Sequence, residues 1–356
     1  MNILFFDATR EWSGGANRLF LFSKELVKRG HNVLVCTLPG NEMSKRLAKD
    51  EMPFFNIDPR SDINLLVAPE IIRKIREHHI DIIDIHSPRF YWLGTISARV
   101  CGKPAIITRN VPFRKKGFKR QLNHLLYGML ANRVVAISDK IKRELLVDYW
   151  LEERHVDVIY DGLDTAIFDI QTSASDKSRI TIGVLSRLVY GKGLESFVEA
   201  MPGIVQQIPN ARFVIAGSGP LKDILRQRVV DLDLDSKVAF TGFRQDVPQL
   251  LSELDITVNP SPEEGMSMSA LESMASGRPV VATSGGGLVD IITTLENGVI
   301  VSPNDPAELA QGVACLLQAD YHAIGAKAKQ ITKEKFELNR IIDQYEALVS
   351  SLVKQN

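Results

Sequence analysis

The chain has 356 residues, with 43 Lys+Arg balanced by 43 Asp+Glu and 45% hydrophobic residues. At about 150 residues per domain this length favours two domains, and the ordinary apolar fraction excludes an intrinsically disordered chain. Zero net charge argues against a nucleic-acid-binding protein that works through bulk charge. The charge is nevertheless uneven, because residues 1–165 carry 26 Lys+Arg against 20 Asp+Glu and residues 166–356 carry 17 against 23.

Short β-branched or apolar runs alternate with longer helical patterns in the first half, which is typical of parallel βαβ units. The pattern predicts seven strands, at Ile3–Phe6, Asn32–Cys36, Phe54–Ile57, Ile82–Ile85, Ala105–Thr108, Val134–Ala136 and Val156–Ile159. Between the first two strands a helix is predicted to end near Gly30. Its expected buried face consists of Leu19, Phe20, Phe22, Ser23, Leu26 and Val27.

The polar, Ser-rich stretch Asp169 to Ser178 predicts a linker, and the alternation restarts after it. Six more strands are predicted, at Ile180–Leu185, Phe213–Ala216, Val238–Phe240, Ile256–Val258, Val280–Ala282 and Val299–Val301. From Pro306 onward the pattern is helical. The fold class predicted is therefore α/β, with two Rossmann-like domains, 1–168 and 179–356, whose parallel sheets face a cleft. The last helix is expected to pack back on the N-terminal domain.

Cysteine usage and hydropathy predict a cytoplasmic protein. Cys36, Cys101 and Cys315 are widely spaced and lie in or beside apolar runs, which indicates free thiols in a reducing compartment. No apolar run approaches the roughly 18 residues that a spanning helix needs. The N-terminal residues MNILFFDATR lack the basic leader of a signal peptide.

The most informative motif is NPSPEEGMSMSALESMASGRPVVA, Asn259 to Ala282. A strand ends there in a Pro- and Ser-rich loop, and a helix is predicted from about Met268 to Ser276. Spacings of three and four residues define its buried side, which consists of Leu271, Met274 and Ala275.

Two carboxylates lie eight positions apart across the start of this helix. Glu264 precedes it, and Glu272 lies on it beside the buried side. They would flank free backbone N–H groups, which suit an anionic ligand that also bears hydroxyl groups. These N–H groups belong to Met266, Ser267 and Met268.

This motif resembles the signature of the family 4 glycosyltransferases, retaining enzymes of the GT-B architecture. In that family the first of two glutamates is followed by glycine, and the second lies in a helix that ends in G-x-P-V. The matching positions here are Glu264-Gly265, Glu272 and Gly277 to Val280. The resemblance implies that Glu264 contacts the transferred sugar and that Glu272 contacts the ribose of the nucleotide.

Other segments of the second half are similar to the same family. GVLSRLVYGKGLESFVEA resembles its strand-loop-helix in which an Arg and a Lys bind the donor diphosphate, here Arg187 and Lys192. Two cations at a helix start would offset the charge that grows on the departing phosphate. VIAGSGP, with Gly217 and Gly219, and FTGF are similar to its loops around the nucleobase. SGGGLVD resembles a GG-x-x-E loop, with Asp290 where Glu is usual.

The first half matches the family less closely. Gly14 and Gly15 resemble its flexible glycine loop facing the donor phosphates, and His86 occupies the position that contacts the sugar. VIYDGLD carries Asp161 where Asn is commoner. ITRNVPFR lacks the His often found after strand five, so the acceptor stays unspecified.

A basic and aromatic cluster lies between strands five and six. Such a cluster either forms a solvated loop or docks on anionic lipid headgroups, where each cation contributes about 1 kcal/mol. The positive charge of residues 1–165 favours a contact with the inner face of the cytoplasmic membrane or a phosphorylated acceptor. The cations are Arg114, Lys115, Lys116, Lys119 and Arg120.

These resemblances imply a retaining transfer of a sugar from a nucleotide diphosphate sugar to a glycan or lipid-linked acceptor. We expect that neither glutamate is the nucleophile. No metal is expected, because no Asp-x-Asp motif ends a strand. A resident cofactor and a nucleic-acid partner are not expected either. Cell-surface polysaccharide or lipopolysaccharide synthesis is the pathway that the resemblance suggests. The alternatives are a nucleotide-sugar epimerase or phosphorylase of the same architecture and a non-catalytic binding protein. A dinucleotide dehydrogenase is disfavoured, because the first strand is not followed by G-x-G-x-x-G.

Overall fold

The structure, a computed structural model, describes residues 1–60, 64–110, 117–170 and 179–355. The chain forms two compact units. Unit 1 comprises Met1–Gly162 with Asn339–Asn356, and unit 2 comprises Leu163–Leu338. Most of the predicted linker lies outside the described residues, and so do three cations of the basic cluster.

Unit 1 contains a seven-stranded parallel sheet with the order β3-β2-β1-β4-β5-β6-β7. Its strands are nearly continuous apolar runs, as expected for a sheet covered on both faces. Their bounds are β1 Asn2–Phe6, β2 Asn32–Thr37, β3 Phe54–Asn56, β4 Ile82–Ile85, β5 Ala105–Arg109, β6 Arg133–Ala136 and β7 Val156–Val158.

The helices of unit 1 follow the strands in the expected alternation. They are α1 Gly14–Lys28, α2 Glu42–Lys49, α3 Ala68–Glu77, α4 Pro88–Val100, α5 Phe118–Leu125, α6 Asp139–Tyr149 and, from the end of the chain, α13 Leu338–Lys354, whose first residue belongs to unit 2. Tyr345 of α13 is fully buried, and its ring packs on Phe5 and Phe22 with centroids 6.1 and 5.5 Å away.

Unit 2 contains a six-stranded parallel sheet with the order β10-β9-β8-β11-β12-β13. The strands are β8 Ile180–Leu185, β9 Ala211–Ala216, β10 Val238–Gly242, β11 Ile256–Asn259, β12 Val280–Thr283 and β13 Val299–Val301. The helices are α7 Leu194–Gln207, α8 Lys222–Asp231, α9 Val247–Ser252, α10 Met268–Ala275, α11 Pro306–Gln318 and α12 Tyr321–Phe336.

All thirteen predicted strands are confirmed, and so is the predicted helix over the glutamate motif. Leu271, Met274 and Ala275 of α10 are buried, and Gly277 ends the helix with a φ of 72°. The predicted buried face of α1 is partly wrong. Val27 of α1 is 43% exposed, whereas Arg18 of the same helix is only 2% exposed.

Candidate donor site in unit 2

The sheet of unit 2 changes winding direction between β8 and β11. These strands are neighbours in the sheet, with Ile256 paired to Ile182 and Thr257 to Gly183, yet two strands, β9 and β10, lie between them in the chain. Loops that leave the carboxyl ends of two such strands diverge and open a crevice, where open α/β sheets bind their ligands. The two loops here run from Ser186 to Gly193 and from Pro260 to Ser267.

The two loops are joined by an ion pair. The ammonium Nζ of Lys192 lies 2.7 Å from Oε1 of Glu264, and each side chain is about one-fifth exposed, at 21% and 20%. Their backbones are also in close contact, because a Cβ on Gly193 would lie 2.0 Å from the carbonyl oxygen of Pro260. The structure thus brings together two of the predicted site residues, from segments 72 positions apart.

Two helices begin shortly after the residues of this ion pair in the chain, α7 after Lys192 and α10 after Glu264. Helix α7 begins directly after Lys192, and its N-cap, Gly193, supplies no side-chain acceptor. Helix α10 is capped by Ser267, which accepts from the Ala270 N–H. Within the described residues, the N–H groups of Met268 and Ser269, which precede Ala270 on this helix, have no acceptor. Two helix N-termini with a lysine beside them form an arrangement that favours an anion.

Arg187 and Glu272 line one pocket of about 190 Å³. Its lining comes from the ends of β8 and β9 with the residues that follow them, from α9 and the segment before it, and from α10. The full lining is Leu185, Ser186, Arg187, Ala216, Gly217, Ser218, Phe243, Arg244, Val247, Leu250 and Glu272. The second cation and the second carboxylate of the predicted site are therefore also close together.

Glu272 is the most perturbed carboxyl of this site. Its side chain has no hydrogen-bond or ion-pair partner within the described part of the chain, and burial raises its pKa from 4.5 to about 7. A desolvated carboxylate without a partner destabilises the folded protein, so such groups are concentrated where ligands bind. Hydroxyl groups of a ligand would supply the missing donors.

Gly217 and Gly219 shape the pocket through their backbone. Both have positive φ, 144° and 153°. A Cβ on Gly217 would lie 1.8 Å from the Ser186 carbonyl oxygen, and one on Gly219 would lie 2.3 Å from that of Leu188. The glycine loop is therefore pressed against the Arg187 loop, and the Leu188 N–H donates to the Ser218 carbonyl at 2.8 Å.

Only part of the lining next to β10 was identified from the sequence, because the FTGF segment, which was named, ends at Phe243, and Arg244 was not singled out. Phe243 is 65% exposed although it lines the pocket, and Arg244 makes two contacts of 2.6 Å to the carboxylate of Asp246. Phe243 is the last residue of FTGF, and Arg244 follows that segment directly. The Arg-x-Asp pair of Arg244 and Asp246 is the sequence signal that could have found Arg244.

The structure corrects the predicted glycine loop of unit 1. Gly14 and Gly15 are the first two residues of α1, capped by Ser13, and not a loop. A Cβ on Gly15 would lie 3.0 Å from the side-chain nitrogen of Asn110. The glycines therefore allow the helix start to approach β5 closely.

His86 lies after β4, as predicted, but its ring faces the interior of unit 1. It is 4% exposed, and within the described residues neither ring nitrogen has an aligned hydrogen-bond partner. Nε2 lies 3.2 Å from Oδ2 of Asp84, and the ring packs edge-on against Phe5. Burial alone would raise the pKa of Asp84, but His86 and a hydrogen bond from Thr108 hold it below its ordinary value.

Asp161 has a partner that the sequence did not reveal. Its Oδ1 lies 2.8 Å from Nε of Arg18, and both side chains are nearly fully buried, at 3% and 1% exposure. Arg18 also donates to the Ile159 carbonyl at 3.1 Å. The Asp that stands where Asn is commoner is thus half of a buried ion pair that ties α1 to the end of the sheet.

The predicted basic cluster is only partly described. Arg114, Lys115 and Lys116 lie outside the described residues, and Lys119 is exposed on α5. Arg120 was predicted as one of the cations that face lipid, but its guanidinium contacts α6 and Trp150 of the protein. Its guanidinium donates to the carbonyls of Val147 and Asp148 at the end of α6 and stacks 3.9 Å from the Trp150 ring centroid.

The described ranges contain neither a metal-binding cluster nor a membrane-spanning helix. No group of three or more His, Cys, Asp or Glu side chains there is arranged to hold a metal ion. No helix in these ranges is long and apolar enough to cross a membrane.

The chain belongs to the glycosyltransferase family that its motifs indicate. Residues 179–319 match the family described as Glycosyl transferases group 1, and residues 12–167 match Glycosyltransferase Family 4. The uncharacterized glycosyltransferase MJ1607 of Methanocaldococcus jannaschii is 30% identical over 348 residues, covering 89% of this chain and 88% of that protein. An Escherichia coli protein, UDP-Gal:alpha-D-GlcNAc-diphosphoundecaprenol alpha-1,3-galactosyltransferase, is 25% identical and covers 70% and 69%.

Solved structures show the same fold. The Anabaena protein Alr3699/HepE, crystallised with UDP, superposes with a TM-score of 0.88 at 22% identity, covering 99% of this chain and all of that chain. A glycosyltransferase from Rickettsia africae gives the same TM-score at 21% identity, with 100% and 99% covered. The chain is therefore a glycosyltransferase with the GT-B fold of two Rossmann-like domains.

Proposed function

We propose that this chain transfers a sugar from a uridine diphosphate sugar to an acceptor hydroxyl, with retention of anomeric configuration. The observation that carries the proposal is the convergence in unit 2 of Lys192 with Glu264 and of Arg187 with Glu272. HepE was crystallised in complex with UDP, with UDP and glucose, and with UDP-glucose, which supports a UDP-sugar donor for this chain.

Each part of the donor finds a chemical complement in unit 2. The pocket with Phe243 on its wall suits the base, and Glu272 at its edge suits the ribose hydroxyls. Lys192, Arg187 and the start of α7 would bind the diphosphate, and Glu264 would accept from the sugar hydroxyls. Ligand hydroxyls would lower the cost of the desolvated Glu272 carboxylate.

We propose a front-face transfer through an oxocarbenium-like state, in which the departing phosphate helps to take the acceptor proton. Glu264 carries an ammonium partner and Glu272 a raised pKa, so both serve better as binding groups than as a nucleophile. Arg187, Lys192 and the α7 N-terminus would stabilise the charge on the leaving diphosphate, so we expect full activity in a chelator such as EDTA.

The acceptor is proposed to be a lipid-linked or other glycan hydroxyl in cell-surface polysaccharide or lipopolysaccharide synthesis. The name of the E. coli relative includes a diphosphoundecaprenol-linked sugar, which supports this class. A peripheral contact with the inner face of the cytoplasmic membrane belongs to the same proposal. Lys119, Val147 and Trp150 support it, because the last two are 70% and 56% exposed. Flotation with phosphatidylglycerol vesicles tests this contact. The wild type should float with the vesicles, and the K119A/W150A variant should not.

The experiment for the function is a screen of nucleotide sugars with candidate acceptors, read out by release of nucleoside diphosphate and by the anomeric configuration of the product. The double variant R187A/K192A should lose turnover by at least about 100-fold, since two cations on the leaving phosphate are removed. The control R226A/K335A removes an Arg and a Lys exposed elsewhere in unit 2 and should keep wild-type turnover. Undiminished turnover of R187A/K192A would contradict the proposal, and sugar isomerisation without acceptor would indicate an epimerase.

A further inference from the structure

The ion pair between Lys192 and Glu264 determines which charges an anion meets when it binds at Lys192. The two side chains neutralise each other across 2.7 Å, and neither has another hydrogen-bond or ion-pair partner among the residues described. An anion that binds Lys192 must therefore compete with Glu264. The carboxylate then stays beside the anion with its charge no longer balanced by the ammonium.

The loop that carries Glu264 has little room to retreat. A Cβ on Gly285 would lie 1.7 Å from the Pro262 carbonyl oxygen, and one on Gly286 would lie 3.5 Å from the Cβ of Glu264. On the other side Pro260 is pressed against Gly193, as described above. The backbone of this loop is held from two sides, so Glu264 remains near a diphosphate bound at Lys192.

Donor and product differ at this point in charge and in hydrogen-bond donors. In a nucleotide diphosphate sugar the terminal phosphate is esterified, and the sugar hydroxyls can donate to a carboxylate. In the free nucleoside diphosphate the terminal phosphate has a second ionisation near pH 6 and offers acceptor oxygens only. A fixed carboxylate attracts the first ligand and repels the second.

We propose that Glu264 is a specificity-determining residue that favours binding of the sugar-bearing donor over the sugar-free nucleoside diphosphate. This inference rests on the proposed function, because it assumes that the diphosphate binds at Lys192. It adds that Glu264 weakens the retention of the product and thereby assists its release.

The test is calorimetric titration of the full-length protein with UDP, UDP-glucose, UDP-galactose and UDP-N-acetylglucosamine. E264Q removes the charge and frees Lys192. It should bind UDP about three- to tenfold more tightly than the wild type, and the UDP-sugar that binds the wild type best should bind several-fold more weakly. The control E263Q changes an exposed carboxyl in the same loop and should shift every affinity by less than about twofold.

E264D is a second variant that keeps the charge and shortens the side chain. It should bind UDP within about twofold of the wild type and still bind the UDP-sugar more weakly. The inference is overturned if E264Q shifts the affinities for UDP and for the UDP-sugar in the same direction. Failure of the wild type to bind any of the four probes would instead contradict the proposed donor, so the two failures are distinguishable.

Discussion

Glu272→Gln should stabilise unit 2 at alkaline pH and not at acidic pH. Burial raises the pKa of Glu272 from 4.5 to about 7. Between these values the folded protein keeps a proton on this carboxyl that the unfolded chain has lost. The wild type therefore loses stability as pH rises through this window, and the loss is complete above about pH 7. Glutamine cannot ionise and is not subject to this loss.

The size of the change in stability follows from the difference between the two pKa values of Glu272. At about 1.4 kcal/mol for each pH unit, the interval from 4.5 to about 7 corresponds to at most about 3–4 kcal/mol in the free energy of unfolding. The carboxyl lies at the edge of an open pocket and is only half-buried, so water reduces the cost. We expect E272Q to exceed the wild type by about 1–2 kcal/mol at pH 8.5 and by less than about 0.5 kcal/mol at pH 5.

The assay must report on unit 2. All three tryptophans, Trp12, Trp92 and Trp150, lie in unit 1, so their fluorescence does not follow α10. Native-state hydrogen exchange of the α10 and β11 amides, corrected for the intrinsic effect of pH, gives the local free energy directly. E263Q is the matched control and should show no difference between the two pH values. An equal change in E272Q at both pH values would refute the reasoning.

Three further predictions concern other parts of the molecule. Gly217→Ala should cost more than about 2 kcal/mol and abolish UDP binding, because the added Cβ meets the Ser186 carbonyl. Gly242 also has a positive φ, at 72°, but open space around it, so Gly242→Ala should cost about 1 kcal/mol; calorimetry and titration compare the two variants. Arg18→Met should lower the stability of unit 1 by about 3–5 kcal/mol in tryptophan-monitored unfolding, because it removes the buried cation that offsets the charge of the Asp161 carboxylate. Arg120→Ala should expose the end of α6 and the Trp150 ring, seen as a red-shifted emission, and an unchanged spectrum would contradict the contacts described.

The sequence predicted the strands well because local composition alone defines them. A strand covered on both faces reads as a short, continuous apolar run, and thirteen such runs matched thirteen strands within one or two residues at each end. The ends differ where pairing extends a strand beyond its apolar run. In β9, Ala211 and Arg212 pair with Ile180 and Thr181 although Arg212 is exposed.

The errors have a different origin, since they depend on contacts between distant segments. Arginine is usually a surface residue, and Arg18 can be buried because Asp161 and the Ile159 carbonyl approach its guanidinium. A glycine pair indicates a flexible loop, but the proximity of Asn110 explains why glycines begin α1. The burial of His86 against Phe5 likewise depends on a distant segment, and the expected contact of His86 with the sugar stays a prediction.

The candidate donor site was predicted through its motifs but not through its contacts. The glutamates and cations could be named from the chain, whereas the ion pair between Lys192 and Glu264 requires the register of β8 against β11. The desolvation of Glu272 and the wall formed by Phe243 and Arg244 depend equally on packing. Side-chain chemistry was therefore readable from the sequence, and the electrostatics of the site were not.

The most direct test of a donor site in unit 2 is hydrogen exchange of the whole chain with and without saturating UDP-sugar. We predict protection of the segments 186–194, 217–219 and 264–272, which carry the two cations, the glycine loop and both glutamates. The same experiment on R187A/K192A should show no protection. Protection of other segments of unit 2 in place of these, or an unchanged map in the presence of a sugar nucleotide that the protein turns over, would contradict the account.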